Sequence, residues 1–304
     1  MSRALLTPKV LIPFTVATLI WGSTWLVIRD QLGVVAPTWS VAYRFASGSA
    51  AMFVWAAIRR EPLIMAPAGH AFALVFALFQ FVLNFNFVYR AEAHITSGLV
   101  AVLFSLLLVP NAILGRLLLK TPLTPRFLFG SAIALVGVGL LIVQEMRSDT
   151  SSAAETWAGL IMTITGVLSA SAANIMQGSH RGRAMPMAAM LAWGMLFGAL
   201  VNALIGWTTV GPPTVELRPA YILGVLYLGV FASAIAFTCY FAVIRAVGPA
   251  VAAYSGVITP VLAMILSTFF ENYRWTALAA AGGVVAFAGL LIALSARRPV
   301  AKSG

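Results

Sequence analysis

The fold is decided by Phe127-Leu-Phe-Gly-Ser-Ala-Ile-Ala-Leu-Val-Gly-Val-Gly-Leu-Leu-Ile-Val143, a continuous apolar run of 17 residues. A second apolar run, Ala277–Ala293, lies 150 positions later and contains the same Gly-Leu-Leu-Ile sequence near its end. In a chain of 304 residues, this separation is close to half the length. The sequence therefore predicts two similar halves, each closed by such a helix. The small residues Gly130, Ala134 and Gly137 suit close helix packing, so we expect this helix at the periphery, away from any substrate.

The composition predicts a membrane protein. Hydrophobic residues make up 61% of the chain and charged residues only 9%, whereas soluble domains carry about 25% charged residues. The net charge of +11 does not indicate nucleic-acid binding, because the basic residues occur singly or in pairs between apolar runs. Cys239 is the single cysteine, so the chain cannot form an internal disulfide.

Ten apolar segments are each long enough to cross about 30 Å of hydrocarbon as a helix. They are continuous runs, whereas a membrane barrel shows alternating segments of about ten residues. The sequence therefore predicts an all-α integral membrane protein with ten transmembrane helices. The predicted spans are Val10–Ile28, Thr38–Ile58, Ala68–Tyr89, Ile95–Gly115, Phe127–Val143, Trp157–Ile175, Met187–Trp207, Tyr221–Ile244, Pro249–Phe270 and Trp275–Ser295.

The basic residues predict the orientation, since cytoplasmic connections carry an excess of Lys and Arg. The connections on the side of the N-terminus hold Arg3, Lys9, Arg59, Arg60, Arg116, Lys120, Arg126, Arg181, Arg183, Arg245, Arg297, Arg298 and Lys302. The connections on the other side hold only Arg29, Arg90, Arg147, Arg218 and Arg274. We therefore expect both termini in the cytoplasm.

An odd number of spans per half predicts an inverted repeat. With five spans each, the second half enters the membrane in the opposite sense, an architecture that recurs in transporters with a site between the halves. The predicted division is residues 1–147 for the first repeat, 148–156 for an external linker and 157–304 for the second repeat. Chance likeness between apolar helices rich in small residues is the alternative explanation of the duplication.

Several motifs resemble the EamA branch of the drug/metabolite transporter superfamily. They are Trp21-Gly22-Ser23-Thr24-Trp25, then Pro37 with Arg44-Phe45, and Thr259-Pro260-Val261 followed by Glu271. The resemblance covers nearly the whole chain. It implies ten helices in two inverted five-helix repeats and export of metabolites from the cytoplasm. Within that branch, the chain is most similar to bacterial exporters of aromatic and other neutral amino acids of the YddG kind.

Polar and aromatic residues inside the spans are the candidate substrate-binding residues. Gln80, Asn84 and Phe87 share one helix face through their i, i+4, i+7 spacing, and amides facing lipid would be costly. Each such face either bonds neighbouring helices or lines a cavity. The full set of predicted substrate-binding residues is Trp21, Trp25, Gln80, Asn84, Phe87, Ser171, Asn174, Trp193, Phe237, Tyr240 and Tyr254.

Arg44 and two prolines carry further hypotheses. Arg44 is a charged residue well inside a span, so it either holds a substrate carboxylate or has a structural role at a helix end. Pro260 and Pro110 are candidate hinges, because proline removes a backbone hydrogen bond. A static kink is the alternative.

The absence of deep acids and of catalytic motifs limits the function. No Asp or Glu lies deep in a predicted span, and no metal-binding or nucleophile motif is present. The sequence therefore predicts a transporter that is not an enzyme and has no cofactor and no metal. We expect an exporter of small neutral amphiphiles, most of all amino acids including aromatic ones, working by alternating access. A carrier of sugars, nucleotide-type solutes or drugs is the alternative, and a membrane scaffold a further one. The expected partners are the solute and the lipid bilayer, and a monomer suffices.

Overall fold

The computed structural model describes residues 7–95, 97–148, 152–270 and 275–294. The secondary structure within these ranges is helical, and the short helix His180–Ala184 joins the sixth and seventh long segments. The long segments are α1 (Pro8–Asp30), α2 (Pro37–Arg59), α3 (Pro67–Ala91), α4 (Ser97–Phe104 and Leu108–Leu118), α5 (Pro125–Ser148), α6 (Ala153–Gly178), α7 (Met187–Thr209), α8 (Pro219–Val247), α9 (Pro249–Ala252 and Tyr254–Phe270) and α10 (Ala277–Leu294).

Nine of these described helices are long and apolar enough to cross a membrane. The shorter apolar helix is α10. At 1.5 Å per residue, the 17 residues Ala277–Ala293 span about 25 Å, less than the roughly 30 Å of hydrocarbon. Its flanking residues 271–274 and 295–304 lie outside the described ranges, as do residues 1–6. The charged residues Arg3, Arg274, Arg297, Arg298 and Lys302, used in the orientation argument, fall in these segments.

The connection between the two halves is shorter than predicted. Helix α5 continues to Ser148 rather than ending at Val143, and α6 begins at Ala153 rather than Trp157. The early start of α6 has a local cause. Ser152 and Glu155 form a capping box, in which each side chain accepts a hydrogen bond from the backbone of the other. Part of the predicted linker is therefore helix, and residues 149–151 lie outside the described ranges.

Helices of the two halves pack as antiparallel pairs, and α2 with α7 is one of them. Near the middle of the pair, the Ser49 Oγ donates to the Ala192 carbonyl at 2.9 Å. Near the beginning of α2, the Trp39 ring packs on Gly206, towards the end of α7. The contacts move forward along one helix and backward along the other, so the two helices run in opposite senses.

The helix that closes each half packs on its counterpart. A Cβ added at Gly130 of α5 would overlap the backbone of Ala293, and one at Gly137 would overlap that of Ala286. In return, Gly289 of α10 lies against Ala134. The small residues of the apolar run thus allow α5 and α10 to touch backbone to backbone, as the sequence predicts.

Helices α4 and α9 form another antiparallel pair, because Ser105 contacts Gly256 while Asn111, later in α4, contacts Pro249, earlier in α9. Pro110 offers no N–H to the carbonyl four residues earlier, and α4 passes through a 3₁₀ turn at Ser105–Leu107. Pro260 lies within the continuous helix Tyr254–Phe270 and offers no N–H to the Gly256 carbonyl. The Ser105 Oγ donates to that carbonyl at 2.9 Å instead.

Two helices contain π-helical segments at the middle of the molecule. They are Leu78–Leu83 in α3 and Tyr227–Ile235 in α8, the third long helix of each half. In α8, the Ser233 Oγ donates to the Leu228 carbonyl at 2.7 Å. Such segments are rare and are frequent at functional sites. The α3 segment carries Gln80, which lines the cavity described next, and the α8 segment ends shortly before Phe237 and Tyr240, which also line it.

Candidate binding cavity

A cavity lies between the two halves and has an internal volume of about 100 Å³. Helices α1 to α4 of the first half and α6, α8 and α9 of the second half supply its wall. Seven of the predicted substrate-binding residues line it, together with Arg44. They are Trp21, Trp25, Gln80, Asn84, Asn174, Phe237 and Tyr240. The spacing rule that selected Gln80 and Asn84 therefore identified a cavity face.

Aromatic rings form one side of the cavity. The Trp21 ring makes edge contacts with Phe237 at 5.2 Å and Tyr240 at 4.8 Å between ring centroids. The Trp21 Nε1 donates to the Ala232 carbonyl at 3.0 Å, which fixes the indole between α1 and α8. Edge-to-face ring packing of this kind is favourable beyond simple burial. The result is a rigid apolar surface held by helices of both halves.

Polar atoms in the cavity wall have unused hydrogen-bonding capacity. The Trp25 Nε1 and the Arg44 Nη1 are buried donors with no hydrogen-bond partner among the described residues. The Gln80 Oε1 and the Asn84 Oδ1 are buried acceptors in the same situation. Buried polar groups in native proteins are normally paired. Two donors and two acceptors in the wall of one cavity therefore remain available for hydrogen bonding.

Asn174 and Tyr240 show a different arrangement. The Asn174 Nδ2 donates to the Tyr240 hydroxyl at 3.3 Å, which links α6 to α8 across the cavity wall. Both side chains are nearly fully buried. This pair is both an interhelical contact and part of the cavity lining. The two roles predicted for a polar helix face, bonding a neighbouring helix and lining a cavity, therefore do not exclude each other.

Arg44 is buried, with an exposed fraction of 1%. Its Nε donates to the Ser233 Oγ at 3.0 Å, in the π-helical segment of α8. Its guanidinium carbon lies 4.4 Å from the centre of the Phe85 ring and 5.6 Å from that of Phe45. The side chain therefore does not reach a helix terminus in solvent but stays at the cavity wall.

Four predicted residues are not in the cavity lining, and two of these have partners elsewhere. The Trp193 Nε1 donates to the Leu63 carbonyl at 2.9 Å, which attaches α7 to the connection between α2 and α3. The Tyr254 hydroxyl is 3.0 Å from the Ser131 Oγ on α5. Both aromatic side chains hold helices together in this structure.

Phe87 and Ser171 are the other two. Phe87 is half-buried and packs beside Gly166, between α3 and α6. Ser171 is fully buried on α6, and its Oγ has no hydrogen-bond partner among the described residues. Asn84, which shares the predicted face with Phe87, does line the cavity. Asn84 and Phe87 both lie in the regular helix Asn84–Ala91, and the cavity meets the side of this helix that carries Asn84 and Val88, so Phe87 falls at the edge of the predicted face.

The structure adds three hydroxyl-bearing residues that sequence reasoning missed. Thr24, Ser255 and Thr259 line the cavity. Ser255 and Thr259 are spaced i, i+4 on α9, the same signal that identified Gln80 and Asn84. Thr24 belongs to the motif that begins at Trp21. Its hydroxyl bonds the Trp21 carbonyl at 2.8 Å, which leaves the side chain at the wall.

The candidate hinges differ in their surroundings. Pro110 follows the 3₁₀ turn at Ser105–Leu107, so α4 is irregular beside it. Pro260 lies in an uninterrupted helical stretch, and α9 is interrupted earlier, at Ala253. The two prolines are 150 positions apart, the separation of the two apolar runs. Their role as hinges stays a prediction.

Membrane-crossing helices around a polar and aromatic cavity define a multi-pass membrane protein with an internal cavity. Comparison with known families agrees with this class and specifies it. A sequence profile described as the EamA-like transporter family matches residues 9–143 and again residues 157–295. The chain belongs to the EamA-like transporter family, and the resemblance noted in the sequence is confirmed at that level.

Relatives of similar length include two proteins that are named as transporters. Protein PagO of Salmonella typhimurium (strain LT2) is 26% identical over 260 residues, which cover 86% of this chain and 84% of PagO. The uncharacterized inner membrane transporter YedA of Escherichia coli (strain K12) is 28% identical over 287 residues, which cover 91% of this chain and 88% of YedA. The uncharacterized transporter YdfC of Bacillus subtilis (strain 168) is 25% identical over 290 residues, which cover 93% of this chain and 90% of YdfC.

A solved crystal structure has the same fold. It superposes with a TM-score of 0.78 at 20% sequence identity, covering 95% of this chain and 99% of that one. At this identity the likeness concerns the fold. The helical architecture is therefore shared along nearly the whole length of both chains.

Proposed function

We propose that this transporter exports small neutral amphiphilic metabolites, most of all neutral amino acids including aromatic ones, from the bacterial cytoplasm across the inner membrane. The observation that carries the proposal is the set of unpaired polar atoms in an otherwise apolar and aromatic cavity wall. Trp25 and Arg44 offer donors, while Gln80 and Asn84 offer acceptors. A zwitterion with an apolar side chain presents the complementary groups: a carboxylate, an ammonium and a hydrocarbon body.

The proposed architecture is an inverted repeat of two five-helix units, with both termini in the cytoplasm. Two observations support it. The same family profile matches once in each half, at residues 9–143 and 157–295. Three helices of the first half each pack antiparallel to the helix that comes five helices later: α2 with α7, α4 with α9, and α5 with α10. A two-fold axis in the membrane plane requires this arrangement. The excess of basic residues in the connections on one side supports the orientation.

The proposed mechanism is alternating access, in which one half rocks against the other around the cavity. Both halves supply the cavity wall, so their relative movement changes its size and opening. An apolar cavity of about 150 Å³ holds a benzene molecule, and this cavity is smaller, at about 100 Å³. The smallest amino acids match its size, while leucine and the aromatic amino acids require the halves to separate further.

We propose that transport is uncoupled and follows the solute gradient. Proton-coupled carriers use buried carboxylates or histidines as relays. None of the residues that line the described cavity is acidic or a histidine. Efflux that depended strictly on a proton gradient would contradict this part of the proposal.

Efflux from proteoliposomes tests the function. Vesicles containing the purified protein are loaded with one labelled solute at a time, covering the twenty amino acids, a sugar and a lipophilic cation. We expect neutral amino acids to leave faster than from protein-free vesicles, and lysine, glutamate and the sugar to leave at the background rate. Selective efflux of the sugar or the cation would replace the proposed substrate class with the alternative.

Growth of overproducing cells gives an independent test. An exporter of amino acids confers resistance to toxic amino-acid analogues, whereas a scaffold does not. We expect resistance with the intact protein and its loss in Asn84→Ala at equal expression. Unchanged sensitivity in cells that overproduce the folded protein would contradict export of these solutes.

A further inference from the structure

Arg44 has one side-chain donor that the described contacts do not use. Its Nε bonds the Ser233 Oγ, its guanidinium also hydrogen-bonds the Tyr89 side chain, and its guanidinium carbon lies 4.4 Å from the centre of the Phe85 ring. These contacts hold the side chain at the cavity wall. They leave the Nη1 buried in the cavity wall with no acceptor from the described protein.

The surroundings of Arg44 favour an anionic ligand group. Arginine keeps its charge when buried and presents paired donors that match a carboxylate. Glu92 is close enough to act electrostatically on the guanidinium, yet Glu92 is not part of the cavity lining. The cavity side of the charge therefore faces no acidic side chain of the wall. The unused donor of Trp25 lies in the same wall and can serve the second carboxylate oxygen.

From this geometry we infer that Arg44 is the anchor for the carboxylate of the transported solute and determines specificity for carboxylate-bearing molecules. The inference rests on the proposed function, since it concerns the same cavity, and it narrows the substrate class. Solutes with a carboxylate and a compact apolar body bind, and the corresponding amines without a carboxylate bind poorly. The acceptors of Gln80 and Asn84 then receive the ammonium group when one is present.

Three solutes with one hydrocarbon body separate the two ends of the ligand. They are L-leucine, 4-methylpentanoate, which lacks the ammonium, and isoamylamine, which lacks the carboxylate. Binding to the purified full-length protein in detergent is followed by tryptophan fluorescence, because Trp21 and Trp25 lie in the cavity wall. We expect 4-methylpentanoate to bind about tenfold more tightly than isoamylamine, the effect of one hydrogen-bonded charge.

Substitutions assign the preference to Arg44. We expect Arg44→Gln to abolish the difference between acid and amine, and Arg44→Lys to retain part of it, since lysine keeps the charge but not the planar fork. Arg245→Gln is the matched control. Arg245 is half-buried, bonds the Met185 carbonyl at 3.0 Å and does not line the cavity. Its substitution should leave the preference unchanged.

The outcomes separate this inference from the proposed function. Equal binding of acid and amine by the unmodified protein, a preference for the amine, or no binding of either overturns the inference, whatever the variants do. A preference that persists in folded Arg44→Gln also overturns it. If the acid is preferred through Arg44 but no amino acid leaves proteoliposomes, the anchor stands and the proposed export of amino acids fails.

Discussion

Replacing Asn84 with leucine should remove binding without weakening the fold. Asn84 is buried in the cavity wall, and its Oδ1 has no hydrogen-bond partner in the described part of the chain. A buried polar atom without a partner costs about 1–3 kcal/mol, and an apolar group of similar shape removes that cost. We expect the free energy of unfolding of Asn84→Leu to be unchanged or higher by about 1 kcal/mol.

Asn202→Leu is the matched control, because Asn202 is equally buried but fully bonded. Its Nδ2 donates to the Phe81 carbonyl at 2.9 Å and the Gly198 carbonyl at 2.7 Å, and its Oδ1 accepts from the Asn86 Nδ2. Interhelical hydrogen bonds in membranes contribute about 0.6 kcal/mol each, so the two bonds from Asn202 to Phe81 and Asn86 of α3 amount to about 1 kcal/mol. We expect Asn202→Leu to lower the free energy of unfolding by that amount.

The assay combines unfolding in mixed micelles, titrated with a denaturing detergent, with leucine efflux from proteoliposomes. We expect Asn84→Leu to be as stable as the unmodified protein and inactive in efflux. We expect folded Asn202→Leu to be less stable and to keep its selectivity among solutes. If Asn84→Leu loses stability as Asn202→Leu does and still exports leucine, then Asn84 holds helices together and does not bind solute.

Three further substitutions test the packing. Gly137→Leu should destabilise the protein by at least about 1–3 kcal/mol, because the new side chain would overlap Ala286. Gly139→Leu should not, because there is open space around Gly139. Equal unfolding midpoints for the two variants would contradict the close contact between α5 and α10. Ser105→Ala should lower the free energy of unfolding by about 1–3 kcal/mol when Pro260 is present, because the Gly256 carbonyl then loses its donor. The loss should be smaller in the Pro260→Ala background, where residue 260 again offers an N–H to that carbonyl. Additive effects in this double-mutant cycle would refute the idea that Ser105 replaces the N–H that Pro260 lacks. Trp193→Phe should leave solute selectivity unchanged, since Trp193 bonds the Leu63 carbonyl outside the cavity. A changed selectivity would indicate that Trp193 belongs to the substrate-binding site.

Much of the fold could be predicted from the sequence because lipid imposes strong constraints on it. A helix covers most of every predicted span in its described part, although Ile95, Trp275 and Thr276 come before the helices predicted to contain them. The small residues Gly130 and Gly137 correctly indicated close packing. The start of α6 was also readable, from the Ser152 and Glu155 capping box, but the apolar pattern alone placed it four residues late.

The candidate site was only partly predictable from the sequence. Periodicity shows which residues share a helix face, but it does not show which other helix or cavity that face contacts. Gln80 and Asn84 line the cavity as their shared face suggested. Trp193 and Tyr254 lie equally deep in their spans, but their polar atoms bond Leu63 and Ser131, which are far away in the chain. No pattern in a single sequence specifies such contacts. The π-helical segments were also missed, since their residues look like any apolar helix.

Substrate protection of a cysteine in the cavity wall tests the central claim most directly. Cys239 is the single cysteine, so Cys239→Ser gives a background for Thr24→Cys, at the wall, and Thr208→Cys, at an exposed position. The rate of modification by a small thiol reagent is measured with increasing L-leucine. We predict that leucine slows modification at position 24 in proportion to occupancy and leaves position 208 unaffected. Equal rates at position 24 with and without a solute that the protein transports would contradict the assignment of this cavity as the binding site.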